Sequence, residues 1–270
     1  MVQHMVVPVD GSDASWRAVD VAVQLGRRVD ADLEIVEVVF DSPDAPAARA
    51  RVEERLQQHD TTGVTATAAV RVAERSVAAT VADIVGRRPE STVVMASHGR
   101  GRSAALLGSV AEEVLQLIFG PILVVGPHVE HGDLEGPVIV TVDGSVESES
   151  ALPLAAAWAI ELADEPWVVE VVEPDLAEVR EVGESAYPAR LARALSHECG
   201  HPVQFEVLHG RSVHDEIADF ARQIDASLVV AATHGRTGMS RFVIGSTAAA
   251  IVRHAPCPVL LARPPHLRDD

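Results

Sequence analysis

The 270-residue sequence contains no lysine, no asparagine and only two cysteines. The first absence excludes a P-loop of the usual kind, because that motif reaches the phosphates with a lysine ammonium. Lysine and asparagine are both specified by A-rich codons, so their joint loss points to a GC-rich genome. All 22 basic residues are therefore arginines, against 40 acidic residues, and the formal net charge is −18. Binding to duplex nucleic acid needs clustered cations that displace counterions, and no such cluster occurs, so nucleic acid is excluded as an expected partner. Cys199 and Cys257 are too few for a disulfide framework and are read as reduced thiols. No apolar run approaches the roughly 18 residues of a membrane span. The opening "MVQHMVVPVDGSD" reaches Asp10 without a basic stretch followed by a cleavable apolar one, and a cytoplasmic protein with no membrane partner is expected. An acidic excess of this size also suits a high-salt cytoplasm, where self-repulsion among carboxylates is screened. The thermal midpoint should then fall as potassium chloride is lowered from molar to low-millimolar concentration; a flat midpoint would contradict the adaptation.

What the chain does contain is an internal repeat. "VVPVDGS" (Val6 to Ser12) returns as "VTVDGS" (Val140 to Ser145), and "ASHGRGRSAALLGS" (Ala96 to Ser109) returns as "ATHGRTGMSRFVIGS" (Ala232 to Ser246). "GPILVVGP" (Gly120 to Pro127) returns as "CPVLLARP" (Cys257 to Pro264). The order is the same both times, with 133 residues between Asp10 and Asp143 and 137 between Gly108 and Gly245, which marks a tandem duplication. The join falls in the polar stretch "GPHVEHGDLEGP" (Gly126 to Pro137), giving expected domains at 1–129 and 136–270.

Within each half, short β-branched runs alternate with segments of helical periodicity such as "WRAVDVAVQLGRRV" and "VHDEIADFARQI". The strands read "MVVPV", "LEIVEVV", "TATAAVRV", "STVVMAS" and "PILVVG", then "PVIVTV", "WVVEVV", "PVQFEVL", "SLVVAAT" and "PVLLA". Near-continuous apolar strands predict a five-stranded parallel sheet in each half, covered by helices on both faces. In such α/β sheets ligands bind beyond the carboxyl ends of the strands, at the point where the strand order reverses.

Two features converge on that point. The fourth strand of the second half ends near Ala232, and the next helix begins near Gly245 and Ser246. Gly235 and Gly245 permit positive φ and close ligand approach, while Ser246 and Thr247 offer hydroxyls and unpaired amides at a helix N-terminus, a site for an anion without lysine. Arg236 or Arg241 would add charge. An aspartate also closes the first strand of each half. Asp10 or Asp143 would face the glycine loop, to meet a ribose hydroxyl or a phosphate-held metal, or would cap the following helix.

At these residues the chain resembles the universal stress protein family in its tandem form, and the resemblance covers nearly the whole chain. The family's nucleotide motif is a glycine, two residues, a second glycine, nine residues, then glycine followed by serine or threonine. The second half supplies Gly235, nine residues, Gly245 and Ser246, with Ala232 at the first glycine. The first half supplies Gly99, Gly108 and Ser109 with eight intervening residues and Ala96 at the first glycine, so its loop is one residue short. The resemblance implies two adenine nucleotide alpha hydrolase-like, Rossmann-like domains. It also implies ATP, with magnesium, as ligand, and a nucleoside held by Asp143 and Val171 in one half and by Asp10 and Val38 in the other. The implied role is an ATP-binding stress-response protein that acts through nucleotide-dependent interaction with a protein partner, with no catalytic residue and at most slow hydrolysis. A UspA-like interaction module without nucleotide is the alternative. An adenylyl-transferring enzyme would need an H-x-G-H or S-G-G-x-D-S signature after strand one, which "VDGS" does not provide. The two halves are expected to form a pseudo-dimer through their apolar fifth strands, with a further homodimer open.

Four smaller features remain, of which the first two carry two readings each. His197, Cys199 and His201 alternate as a soft-metal set would, unless His197 lies on a helix that Gly200 stops. His98 and His234 either touch phosphate or brace their loops. Glu112 and Glu113 read as first-turn charges on a helix. Arg27 and Arg28 read as solvated surface.

Overall fold

The apolar runs become parallel strands in the computed structural model, which describes residues 2–88, 90–99, 107–129, 134–173, 185–234 and 244–264. The chain divides into two compact units, Met1–Pro127 and His128–Asp270. Among the described residues all ten expected strands are present, within two residues of the expected limits.

The first unit runs β1 (His4–Val9), α1 (Asp13–Val29), β2 (Asp32–Val39), α2 (Ala45–Leu56), β3 (Ala66–Val72), α3 (Val77–Gly86), β4 (Ser91–Ala96), α4 (Ser109–Leu117) and β5 (Ile122–Val125). The second runs β6 (Val138–Val142), α5 (Val146–Glu149), α6 (Leu152–Leu162), β7 (Pro166–Val172), α7 (Ala186–Cys199), β8 (Gln204–His209), α8 (Val213–Gln223), β9 (Leu228–Ala232), α9 (Ser246–His254) and β10 (Val259–Ala262). Within the first unit the strand order is β3-β2-β1-β4-β5, and within the second β8-β7-β6-β9-β10. All pairs inside each unit are parallel, and the registers match: Val6 lies opposite Val93 as Val140 lies opposite Val230. Helices cover both faces, as expected for strands without a polar side. The order reverses between β1 and β4, and between β6 and β9, and Asp10 and Asp143 directly follow β1 and β6 at those two points.

The halves differ at their first helix. Seventeen residues form a continuous α1 in the first unit. Its counterpart is broken into α5 and α6, with Pro153 in the first turn of α6, where a missing N–H costs nothing but where the preceding turn cannot continue regularly. Buried Trp158 anchors α6 over the sheet. Arg27 is not merely solvated surface: its guanidinium donates to the carbonyls of Thr62 and Asp60, both at 2.6 Å, and so clamps the turn before β3. Among the described residues no helix is long and apolar enough to cross a membrane.

Candidate functional site

The Asp-Gly-Ser turn after the first strand is built identically in both units. Oδ1 of Asp10 accepts from the Ser12 amide at 2.9 Å and hydroxyl at 2.6 Å, and Ser12 in turn caps α1 by accepting from the Ser15 amide at 3.2 Å. In the second unit Oδ1 of Asp143 accepts from the Ser145 amide at 3.0 Å and hydroxyl at 2.6 Å, and Ser145 caps α5. The expected capping role of the aspartates is thereby corrected. The serine is the cap, and the aspartate fixes the serine. Gly11 and Gly144 adopt φ of 81° and 87°, a left-handed turn that a β-carbon disfavours.

Each turn is locked from outside by a different residue. In the first unit Arg55 of α2 donates to the Gly11 carbonyl at 3.2 Å and to Asp13 at 2.6 Å, with its guanidinium 5.3 Å from the centre of the Trp16 ring. In the second unit the Tyr187 hydroxyl of α7 accepts from the Gly144 amide at 3.1 Å and donates to Glu149 at 3.1 Å. Burial, reinforced by the Glu149 carboxylate, pushes the Tyr187 phenol well above its ordinary value, so it remains a donor at any physiological pH. Neither lock was legible as such, since the partners lie more than forty residues apart in sequence.

Across the sheet reversal, the residue after the fourth strand bonds to the glycine that precedes the next helix. Ser97 donates its amide to Val125 at 2.8 Å and accepts from Gly108 at 2.7 Å. Thr233 does the same with Ala262 and Gly245, both at 2.8 Å. Gly245 has φ −58°, so the expectation that it serves a positive φ is corrected. A β-carbon there would lie 3.2 Å from the Thr233 carbonyl oxygen, tighter than ordinary contact. Gly108 has φ −67° and the corresponding atom would lie 3.4 Å from the Ser97 oxygen. The hydroxyls of Ser97 and Thr233 lie 3.0 and 3.1 Å from Nδ1 of His98 and His234, contacts that brace the two histidines against the strand ends. Burial, with Arg17 adding, holds His98 below the ordinary imidazole value and therefore neutral at pH 7.

A cleft of about 320 Å³ opens at the reversal point of the second unit. Its lining includes Asp143, Val171, Ala232, Gly245, Ser246 and Thr247, over an apolar floor of Val142, Val169, Ile217 and Ile251. The size lies at the lower end of the roughly 300–1,000 Å³ usual for ligand clefts. At one end stands the N-terminus of α9, whose cap residue Gly245 supplies no side chain, so the first-turn amides have no side-chain cap. Gly235, with Arg236 and Arg241, lies outside the described residues.

In the first unit the equivalent residues lie on or beside β1, β2, β4 and α4. Gly99 lies against Asp10, since a β-carbon on Gly99 would overlap Oδ2 of that aspartate. Gly108 and Ser109 begin α4, and Val38 sits near the end of β2, paired with Arg71 of β3. A cleft of about 340 Å³ does exist, but it is lined by Val9, Gly11, Trp16, Glu37 and Arg55 among others and includes none of Asp10, Val38, Gly99, Gly108 and Ser109. Glu112 lies in the first turn of α4 as expected, whereas Glu113 accepts a 2.6 Å hydrogen bond from Ser76 at the start of α3. His197 and Cys199 lie on α7, which Gly200 ends with φ 72°, so the alternating three-donor arrangement is not formed.

A doubly wound parallel sheet with an aspartate turn facing a glycine-capped helix, present twice, defines a Rossmann-like tandem protein. The universal stress protein family profile matches residues 1–126 and again 136–263, and the chain belongs to that family. A universal stress protein of Mycobacterium tuberculosis is 33% identical over 187 residues, covering 63% of this chain and 61% of the relative. One from Mycolicibacterium smegmatis is 28% identical over 221 residues, covering 76% of this chain and 71% of the relative. The chain thus spans about three fifths of the mycobacterial relative's length. Among solved structures, a universal stress protein from Archaeoglobus fulgidus superposes with a TM-score of 0.71 at 20% identity, covering 98% of this chain and 97% of that one. That likeness is one of fold.

Proposed function

We propose that the second half of this universal stress protein binds ATP in its cleft, with the triphosphate at the N-terminus of α9 and the nucleoside against Asp143 and Val171. Occupancy then tunes association with a protein partner rather than driving rapid turnover. The observation that supports this most is the joining, in one cleft, of an aspartate turn, an apolar floor and the uncapped amides of Ser246 and Thr247. The amides and the positive pole of the helix suit a phosphate, and Asp143, already anchored through Oδ1, suits a ribose hydroxyl or a magnesium ion carried by the phosphates. Gly235 would add its backbone to the phosphate end, as the motif implies. In the first half, Asp10, Val38, Gly99, Gly108 and Ser109 form a weaker site on this proposal, because the loop is one residue short.

Mass spectrometry of small molecules released from the purified full chain by heat or acid tests the reading. An adenine nucleotide is expected. Release of none, together with no uptake of added ATP, would replace it with the interaction module that needs no nucleotide.

A further inference from the structure

At the end of α9 away from Gly245, three metal-ligating side chains converge. His214 and Asp215 are the second and third residues of α8, and His254 is the last residue of α9. The two helices pack against each other, which brings together residues some forty positions apart. Nδ1 of His254 lies 3.3 Å from Oδ1 of Asp215, and Nε2 of His214 lies 3.8 Å from the same oxygen. The imidazoles meet edge to face with their centres 4.3 Å apart, and one donor atom from each of the three residues lies within 4.8 Å of the others.

These separations approach those of a coordination sphere. Bonds of about 2.0–2.1 Å in a tetrahedral zinc site place neighbouring donors about 3.3 Å apart. One edge already has that length, and the others close by small rotations of side chains that are half-buried or exposed. Two neutral imidazoles and a carboxylate form the donor set that borderline first-row cations prefer, while hard cations such as magnesium favour oxygen alone. The local field is mixed but adequate. The negative pole of α9 ends at His254, and Asp215 adds a full charge that offsets the positive pole of α8. Arg222 approaches the His254 carbonyl at 3.4 Å, yet its guanidinium also pairs with Asp219 at 2.8 Å. The Ser212 hydroxyl lies 3.3 and 3.4 Å from the two ring nitrogens of His214, a contact that helps orient the ring. A fourth position remains for water or for His128, whose ring centre is 6.4 Å from that of His254.

We propose that His214, Asp215 and His254 form a binding site for a divalent transition-metal cation of the zinc class, which fastens the C-terminus of α9 to the N-terminus of α8. This site is independent of the nucleotide cleft. Its consequence is structural: α9 carries the glycine-capped N-terminus at one end and, about 12 Å away at 1.5 Å per residue, the metal at the other.

The full chain, freed of metal by a chelator and dialysed, should take up one zinc ion in competition with a chromogenic chelator. His214→Ala and His254→Ala should each weaken that binding at least about 100-fold, more than the 10- to 100-fold typical of outer partners. Asp215→Asn, an exposed and conservative change, should weaken it while leaving the circular dichroism spectrum intact, and it decides the matter if a histidine variant fails to fold. Cobalt(II) in place of zinc should give the visible bands of a low-coordinate nitrogen and oxygen site without thiolate charge transfer. The double variant Cys199→Ala, His201→Ala should bind zinc as the parent does. Absence of zinc binding, equal affinity in the parent and the folded Asp215→Asn, His214→Ala and His254→Ala variants, or a thiolate band that vanishes with Cys199 would each overturn the assignment.

Discussion

Gly245→Asp is expected to abolish ATP binding to the second half, with affinity falling at least about 100-fold by calorimetry. Two effects act in the same direction. The new β-carbon meets the Thr233 carbonyl, which already accepts the Gly245 amide at 2.8 Å, and that oxygen must yield by a few tenths of an ångström. The carboxylate then stands where the triphosphate would lie. A like charge about 5 Å away at an effective dielectric of about 20 costs about 3 kcal/mol, a factor of roughly 100. Gly245→Ala separates the two effects, because it adds the methyl without the charge. At 3.2 Å the carbonyl need yield only a few tenths of an ångström, so the alanine variant should fold and retain most of the affinity. Equal, undiminished affinity in the folded aspartate variant would remove the triphosphate from this helix end.

The largest expected effect on stability lies at Gly136, just before β6. Its φ of 147° belongs to a region that only glycine occupies readily, and a β-carbon there would overlap the backbone carbonyl of Asp225. That carbonyl cannot swing aside cheaply. Asp225 is itself left-handed at φ 51°, and two residues on the Ser227 amide donates to Pro137 at 3.0 Å while its hydroxyl reaches Asp164 at 3.0 Å. These bonds start β6 and β9 side by side, so relieving the overlap means misaligning the two strands that frame the cleft. Gly136→Ala should therefore cost at least about 3 kcal/mol, toward the range reserved for backbone strain and broken buried networks. Gly200→Ala is the matched control. It has φ 72° but nothing within 4 Å of the added atom, so only the left-handed penalty of about 1–2 kcal/mol applies. Urea unfolding of both variants checks the contrast; similar midpoints for the two would show that the Asp225 contact does not constrain the fold.

Much of this architecture was legible because its signals are local. Runs such as "VVPV" and "LVVAA" are buried on both faces, so their composition alone announces parallel strands, and the duplicated Asp-Gly-Ser turn marks the end of the first strand of each half. What escaped is non-local or steric. Arg55 and Tyr187 secure equivalent turns with unrelated chemistry from helices far along the chain, and no periodicity marks them. His214, Asp215 and His254 read as ordinary polar helix residues until α8 and α9 are packed together. The split between α5 and α6 was visible only as Pro153, which by itself is also compatible with a helix start. At Gly245 the backbone is not left-handed, and the room for a side chain is limited by the Thr233 carbonyl instead.

Native mass spectrometry of the full chain with a small excess of ATP tests the central claim most directly, because it counts bound nucleotides on the folded protein. The account predicts one tightly held ATP per chain, retained when Gly108 is changed to aspartate and lost when Gly245 is. A spectrum with no bound nucleotide, or one whose nucleotide survives Gly245→Asp and disappears with Gly108→Asp, would contradict it.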